Sequence, residues 1–278
     1  MKRILPLVLL LFTACQAKIP APEPDRMVVE AWIEDGAAPI VLLSTTLAPS
    51  AQDQPYSVLM DHVIRYATVR LSDGEEEVVL MGRSDKDYLP PYSYTTGRMI
   101  GEAGKTYTLT IDAGDYHARA VATIPEPVAL DDIRPAPAVT FGEGRYVLRA
   151  RFHDAPDEHN YYKFFTKVHG VDSSFVSASM GLVDDILLNG QEVEMDVFPS
   201  TSILRESRKQ YFESGERVSV KFSTITEEGF RIWKRLDELN TLANNPFFGY
   251  DDNLEGNVDG AIGFFLGYGS TKYTVEIP

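Results

Sequence analysis

The chain contains many short apolar runs, and several of them alternate between apolar and polar residues. The run 106–111 alternates in this way, and its apolar face consists of Tyr107, Leu109 and Ile111. Successive side chains of a strand point to opposite faces, so this period indicates a half-buried β-strand. Turn residues separate the runs, which favours short antiparallel strands packed as a sandwich. The sequence therefore predicts a mainly β fold.

The runs fall into two sets on either side of a proline-rich segment. Pro125 and Pro127 cannot both occupy a central strand, because proline has no N–H for the ladder. We therefore predict a boundary here, with one β-rich domain at 27–125 and a second at 126–278. The predicted strands lie at 27–33, 40–43, 67–71, 78–81, 106–111, 116–124, 146–152, 161–168, 193–197, 218–222, 262–266 and 273–277.

One amphipathic helix is predicted at about 226–243. Thr226 has the residue type and place of an N-cap, and two glutamates follow it in the first turn, where carboxylates favour the helix dipole. Ile225 and Phe230 have the spacing of a hydrophobic staple. An apolar stripe follows, which predicts core packing rather than a ligand site. The stripe consists of Phe230, Trp233, Leu236 and Leu239.

The N-terminus has the order of an export signal. Lys2 and Arg3 give a basic start, residues 4–12 are apolar, and small residues precede Cys15. The apolar run is shorter than the ~20 residues of a membrane-spanning helix. Residues 12–15 resemble a bacterial lipobox, with phenylalanine in place of the usual leucine. We predict a signal peptide at 1–14 and lipidation of Cys15, against the alternative of an ordinary secretory signal with a chance cysteine.

The segment after the signal is predicted to be a tether. Residues 15–26 are polar and contain three prolines, which favours an extended chain between the lipid and the folded part. Cys15 is the only cysteine, which excludes disulfides and cysteine metal sites from that part. The formal net charge of −15 argues against a nucleic-acid partner.

Several sequence motifs imitate known sites. Residues 101–106 end in Gly-Lys-Thr, but Met99 occupies a required glycine position and a strand follows, so we interpret them as a turn entering a strand. Residues 251–259 resemble the start of a calcium loop, yet Ile262 stands where the closing glutamate belongs. A weak calcium site stays open as an alternative to an acidic loop.

The histidines and acidic pairs give no strong signature. His153 and His159 flank three acidic residues in one loop, which we interpret as solvated, with metal binding as the alternative. Adjacent acids such as Asp184 and Asp185 are expected to point to opposite faces of a strand, so adjacency does not predict a catalytic pair. A carboxylate pair assembled from distant positions stays open. No metal site, cofactor or catalytic residue is predicted.

A tyrosine–proline segment is the first candidate for contact with a partner or ligand. Tyr88, Tyr92 and Tyr94 surround Pro90 and Pro91, and we interpret the segment as a loop. Loop tyrosines offer a large rigid surface with a polar tip.

Six stretches of the chain occur in the order of a known family, at 28–36, 101–111, 116–128, 152–164, 208–230 and 244–269. On these stretches the chain resembles the Bacteroidota envelope lipoproteins known as domain of unknown function 4249. The resemblance implies an immunoglobulin-like N-terminal sandwich followed by a second β-rich part, an outer-membrane lipoprotein with an undecided membrane face, and genes often found near TonB-dependent transporters.

Three functions follow as hypotheses. The first is a non-enzymatic accessory lipoprotein, anchored through Cys15, that assists a TonB-dependent transporter or binds its cargo. The second is an envelope hydrolase or glycan-binding protein that uses dispersed acidic and aromatic residues, which rests on analogy at the level of the fold. The third is a structural or adhesive module.

Overall fold

The computed structural model describes residues 25–46, 60–156, 158–186, 188, 190–200, 209–242 and 256–278. Among these described residues, strands make up 55% and helices 8%, so the predicted mainly β fold with sandwich-like sheets is confirmed. The strands are β1 (Met27–Glu34), β2 (Ile40–Thr45), β3 (Thr68–Ser72), β4 (Glu77–Ser84), β5 (Tyr92–Thr95), β6 (Thr106–Ala113), β7 (Tyr116–Thr123), β8 (Asp132–Pro137), β9 (Arg145–His153), β10 (Tyr161–Val168), β11 (Val176–Asp184), β12 (Glu192–Val197), β13 (Phe212–Glu213), β14 (Arg217–Ile225), β15 (Val258–Asp259) and β16 (Ile262–Glu276), and the helix α1 spans Glu227–Leu242.

A twelve-stranded sheet runs through most of the molecule, in the order β11-β10-β14-β16-β1-β2-β5-β4-β3-β6-β7-β15. A smaller sheet contains β9, flanked by β12 and β13, with β8 also paired to β9. The predicted boundary at 125–126 falls between β7 and β8, and the division into two domains stays a prediction.

The last strand joins the two sets of strands. The sequence predicts separate strands at 262–266 and 273–277, but the structure has one strand of fifteen residues, β16. Its first half pairs with β1 and its second half pairs with β14. The pairing with β1 is parallel, which differs from the expected all-antiparallel arrangement.

Two glycines in the middle of β16 let the backbone of residues 123–125 pass closely over this strand. A Cβ atom on Gly267 would lie 2.1 Å from the carbonyl oxygen of Thr123, and one on Gly269 would lie 2.1 Å from that of Pro125. Both positions therefore require glycine for close backbone approach.

Three apolar cores lie between these layers. The N-terminal core is surrounded by β1–β7 and contains alternating residues such as Val69, Leu109 and Ile111. The second core lies between the C-terminal half of the large sheet and the smaller sheet. It is rich in aromatic side chains, with Phe152, Tyr162, Phe164, Phe212 and Phe222 all fully buried.

The third core lies under α1, on the other face of the large sheet. Ile225, Phe230 and Trp233 contribute to it, together with strand residues such as Phe165 and Tyr268. The backbone N–H of Gly229 donates to Thr226 Oγ1 at 3.1 Å, so the predicted N-cap is confirmed. The helix bounds also agree with the prediction of 226–243.

Other local predictions have mixed outcomes. Residues 103–104 form a turn and Thr106 begins β6, which confirms the interpretation of the Gly-Lys-Thr segment as a turn entering a strand. The sequence did not predict β5, β8 and β11, nor the two-residue strands β13 and β15. β8 contains Pro135 and Pro137, and it pairs with β9 alone, in keeping with the edge position that proline favours.

Candidate functional site

A histidine and two aspartates meet where β10 begins and β11 ends. The antiparallel register places Tyr161 opposite Asp184, which brings the preceding loop residue His159 beside the end of β11. His159 Nε2 lies 2.7 Å from Asp184 Oδ1 and 3.3 Å from Asp185 Oδ1. One nitrogen or oxygen of each side chain lies within 4.8 Å of the others. We refer to these three residues as the His159–Asp184–Asp185 cluster.

Asp185 is the buried member of this cluster. Its side chain is 1% exposed, whereas those of His159 and Asp184 are 44% and 34% exposed. The backbone N–H of Asn160 donates to Asp185 Oδ2 at 2.7 Å, and the N–H of Asp185 donates back to the Asn160 carbonyl. These bonds fix the carboxylate. Its second oxygen, Oδ1, has no hydrogen-bond partner among the described residues.

The cluster is electrostatically coupled. The hydrogen bond with His159 lowers the pKa of Asp184 below its usual range, and the same bond raises the pKa of His159. The His159 ring stacks on Tyr161 with 4.5 Å between the ring centroids, and Tyr161 in turn packs against Phe230 of α1. One imidazole and two carboxylates are a donor set that binds either a proton or a divalent cation.

The prediction that Asp184 and Asp185 point apart was wrong. Asp184 is the last residue of β11, so Asp185 lies beyond the strand and does not follow its alternation. The bonds to Asn160 turn the Asp185 carboxylate toward His159 instead. Sequence spacing carries no signal for this group, because 25 residues separate His159 from Asp184 and the β10–β11 register brings them together.

The acidic loop around His153 and His159 does not form one group. His153 Nδ1 lies 2.7 Å from Asp131, and its other nitrogen lies 3.8 Å from Glu192. Asp154 is buried, where it accepts hydrogen bonds from the Tyr162 hydroxyl and from the backbone of Gly190. Asp157, which the sequence placed in the same group, lies outside the described residues.

The three candidate tyrosines occupy different environments. Tyr92 and Tyr94 lie on β5 rather than in the predicted loop. Tyr94 is 2% exposed, its hydroxyl donates to the Ile64 carbonyl and accepts from Ala67, and burial raises its pKa to about 12. The Tyr92 ring packs edge-on against Tyr94.

Tyr88 lies before β5 and is half-buried against Trp32, at 5.5 Å between ring centroids. Burial, followed by the charges of Asp85 and Asp87, raises its pKa to about 12. Contact of Tyr88, Tyr92 and Tyr94 with a partner or ligand stays a prediction.

An open cleft of about 490 Å³ lies between the start of α1 and β7. Its lining includes Arg119, Glu228, Asn257 and Asp259, and no member of the His159–Asp184–Asp185 cluster. The Asn257 amide binds the backbone of Phe265 on both its donor and acceptor sides. Asn257 therefore holds the start of β16. Residues 251–255 of the calcium-like segment lie outside the described residues.

Two lysines are buried in the C-terminal half, which the sequence did not predict. Lys221 Nζ lies 2.9 Å from Glu34 Oε2 of β1, and Lys272 also pairs with Glu34. The Lys221 ammonium lies over the rings of Phe165 and Tyr268. Lys163 is 0% exposed and its Nζ lies 3.1 Å from Asp237 of α1. Within the large sheet these pairs connect β14 and β16 with β1, and the Lys163–Asp237 pair connects β10 with the helix.

Cys15, the predicted lipidation site, lies outside the described residues. Among the helices formed by described residues, none combines the length and the apolarity that crossing a membrane requires.

Comparison with known proteins places the chain in a family. No curated protein matches it. The model of the family described as "Domain of unknown function (DUF4249)" matches residues 13–274, which is nearly the whole sequence. The chain belongs to the DUF4249 family.

Proposed function

We propose that this protein is a lipid-anchored protein of the bacterial outer membrane that works without catalysis. It assists a TonB-dependent transporter or binds the cargo of one. The observation that carries the proposal is the order of residues 1–15, in which a basic start, an apolar run and small residues precede Cys15. The similarity to Bacteroidota envelope lipoproteins agrees with it.

The start of the folded part suits such an anchor. The Tyr116 hydroxyl donates to the Asp25 carbonyl, and the backbone N–H of Arg26 donates to Thr46 Oγ1 at 3.1 Å. The chain is therefore fixed to the N-terminal sandwich from residue 25 onward. If the proposed tether from Cys15 to this point is extended, it would span about 30 Å at ~3.1 Å per residue. A tether of that length would hold the sandwich close enough to the membrane surface to contact a membrane-embedded partner.

The anchor is tested by fractionation of cells of the native host. Wild type is expected in the outer-membrane fraction with incorporated palmitate, and Cys15→Ser is expected to lose both the label and the membrane association. Ala51→Ser, a change of similar size far from the lipobox, serves as the control and should behave as wild type. Retention of Cys15→Ser at the mature size in the membrane would contradict lipid anchoring.

The partner is tested by gentle solubilisation of a C-terminally tagged chain and identification of what co-purifies. A TonB-dependent transporter in stoichiometric yield is the expected result. Chemical cross-linking in intact cells repeats the experiment without detergent. Absence of a transporter from both preparations would contradict the accessory role.

The alternative is an envelope hydrolase or glycan-binding protein, and one observation favours it. Asp184 and Asp185 converge beside the aromatic ring of Tyr161. The open cleft near α1 is lined by other residues, so these carboxylates do not lie in it. Hydrolysis of a glycan by wild type that Asp184→Asn abolishes would favour this alternative over the accessory role.

A further inference from the structure

The strongest unassigned feature is the His159–Asp184–Asp185 cluster, because one potential metal-ligating atom of each side chain lies within 4.8 Å of the others. A zinc ion with bonds of about 2.0–2.2 Å to nitrogen and oxygen holds tetrahedral ligands about 3.3–3.5 Å apart. The distance of 3.3 Å between His159 Nε2 and Asp185 Oδ1 matches this separation. The distance of 2.7 Å between His159 Nε2 and Asp184 Oδ1 requires an opening of several tenths of an ångström.

A second observation is that Asp185 Oδ1, a buried carboxylate oxygen, makes no hydrogen bond within the described part of the chain, although His159 Nε2 lies 3.3 Å away. Asp185 is 1% exposed, and its Oδ1 has no hydrogen-bond partner among the described residues. A buried carboxylate oxygen without a donor is costly, and a bound ion is one physical explanation of such an atom. Oδ1 faces the cluster, where it lies 3.3 Å from His159 Nε2.

The charges and the supports around the cluster agree with a cation. Two carboxylates and a neutral imidazole carry a net charge of −2, which a divalent ion neutralises. Asn160 holds the Asp185 carboxylate through its backbone, and the ring of Tyr161 holds the imidazole by stacking. Such supports outside the ligand set orient ligands toward a metal.

We propose that His159, Asp184 and Asp185 form a binding site for a divalent transition-metal ion, with Asp185 as its buried anchoring ligand. The imidazole nitrogen favours zinc over calcium or magnesium, which prefer oxygen ligands. His159 and Asp184 are partly exposed, so the remaining coordination position faces solvent, where water or a group of a partner completes the sphere. The site ties the start of β10 to the end of β11.

The proposal is tested with the full-length protein in detergent, carrying no histidine tag and stripped with a chelator. Equilibrium dialysis against zinc chloride, followed by elemental analysis, is expected to give one zinc per chain for wild type. His159→Gln removes a ligand from a partly exposed side chain and is expected to weaken zinc binding at least 10-fold. His153→Gln is the matched control, because His153 is also exposed and paired with carboxylates.

Thermal unfolding gives a second readout that does not depend on separation of free zinc. Zinc should raise the Tm of wild type and of His153→Gln, because it binds the folded state, and it should leave the Tm of His159→Gln unchanged. Equal zinc content in wild type and His159→Gln would overturn the proposal, as would less than one tenth of an equivalent in wild type. The test uses His159→Gln rather than Asp185→Asn, because replacement of the buried Asp185 would also disturb folding.

Discussion

The N-terminal core and the C-terminal half are stabilised in different ways. The N-terminal core consists of apolar residues that alternate along β3, β6 and β7. The C-terminal half buries charged groups as well, namely Asp154, Lys163, Asp185 and Lys221, and it draws in Glu34 from β1. Apolar burial is non-directional, whereas a buried charge is stable only beside its partner. The second half therefore depends on specific pairs in addition to apolar packing, whereas the first half depends on apolar packing.

The largest expected effect comes from the pair that joins the two parts. Glu34→Gln leaves the Lys221 ammonium buried without its counter-charge, so we expect a loss of about 3–5 kcal/mol in the free energy of unfolding. Replacement of both partners, by Glu34→Gln with Lys221→Met, should recover much of this loss, because neither position then carries a buried charge. Urea unfolding followed by fluorescence measures both variants.

Two further measurements sharpen this result. Glu76→Gln is the matched control, since Glu76 pairs with Arg98 at the surface and its loss should cost at most about 1 kcal/mol. An equal cost for Glu34→Gln and Glu76→Gln would show that burial does not govern the first pair.

The second measurement is the dependence on pH. Burial alone raises the pKa of Glu34, but the charges of Lys221 and Lys272 outweigh this effect and hold that pKa below its ordinary value of 4.5. Since the folded-state pKa is depressed, the stabilisation by Glu34 is complete above about pH 4.5 and is lost as the pH falls through the lower, folded-state pKa. Glu34→Gln should therefore lose less stability on acidification than wild type does.

A truncation in the N-terminal core should cost slightly less and should be independent of pH. Leu109 is fully buried on β6, and Leu109→Ala removes its packing and leaves a cavity, which costs about 2–5 kcal/mol. The same unfolding assay at neutral and acidic pH measures the loss. Val79→Ala on β4, where the side chain is 51% exposed, is the control and should cost well under 1 kcal/mol. A loss in Leu109→Ala that changed with pH would contradict a core stabilised by volume alone.

The same contrast explains what could be predicted from the sequence. Strands such as β6 follow from alternation, because the N-terminal core requires only that one face be apolar. The start of α1 follows from Thr226 and its neighbours, because capping is local in sequence.

Features that depend on long-range register could not be predicted in this way. The pairing of Lys221 with Glu34 spans 187 residues, and the parallel pairing of β16 with β1 joins opposite ends of the chain. The His159–Asp184–Asp185 cluster depends on the β10–β11 register and on the end of β11 at Asp184. Spacing along the chain does not record which strands become neighbours.

The smallest expected effect is at the cap of α1, where the two modes of stabilisation meet. The backbone N–H of Gly229 donates to Thr226 Oγ1, and the helix that begins here covers the third core and carries Asp237, the partner of Lys163. Thr226→Ala removes the cap oxygen and should cost about 1 kcal/mol, whereas Thr226→Ser keeps the oxygen and should cost a few tenths. Thermal unfolding by circular dichroism measures both.

The size of the cap effect also tests how the helix is held. If α1 were held by its own hydrogen bonds, Thr226→Ala would fray the helix and reduce helical signal before global unfolding. Packing of Phe230 and Trp233 against the sheet instead makes the helix unfold together with the sheet. The loss of stability in Thr226→Ala should therefore appear only as a lower midpoint of a single transition. A separate early transition in Thr226→Ala, absent from Thr226→Ser, would mean that the packing of Phe230 and Trp233 does not couple unfolding of the helix to that of the sheet.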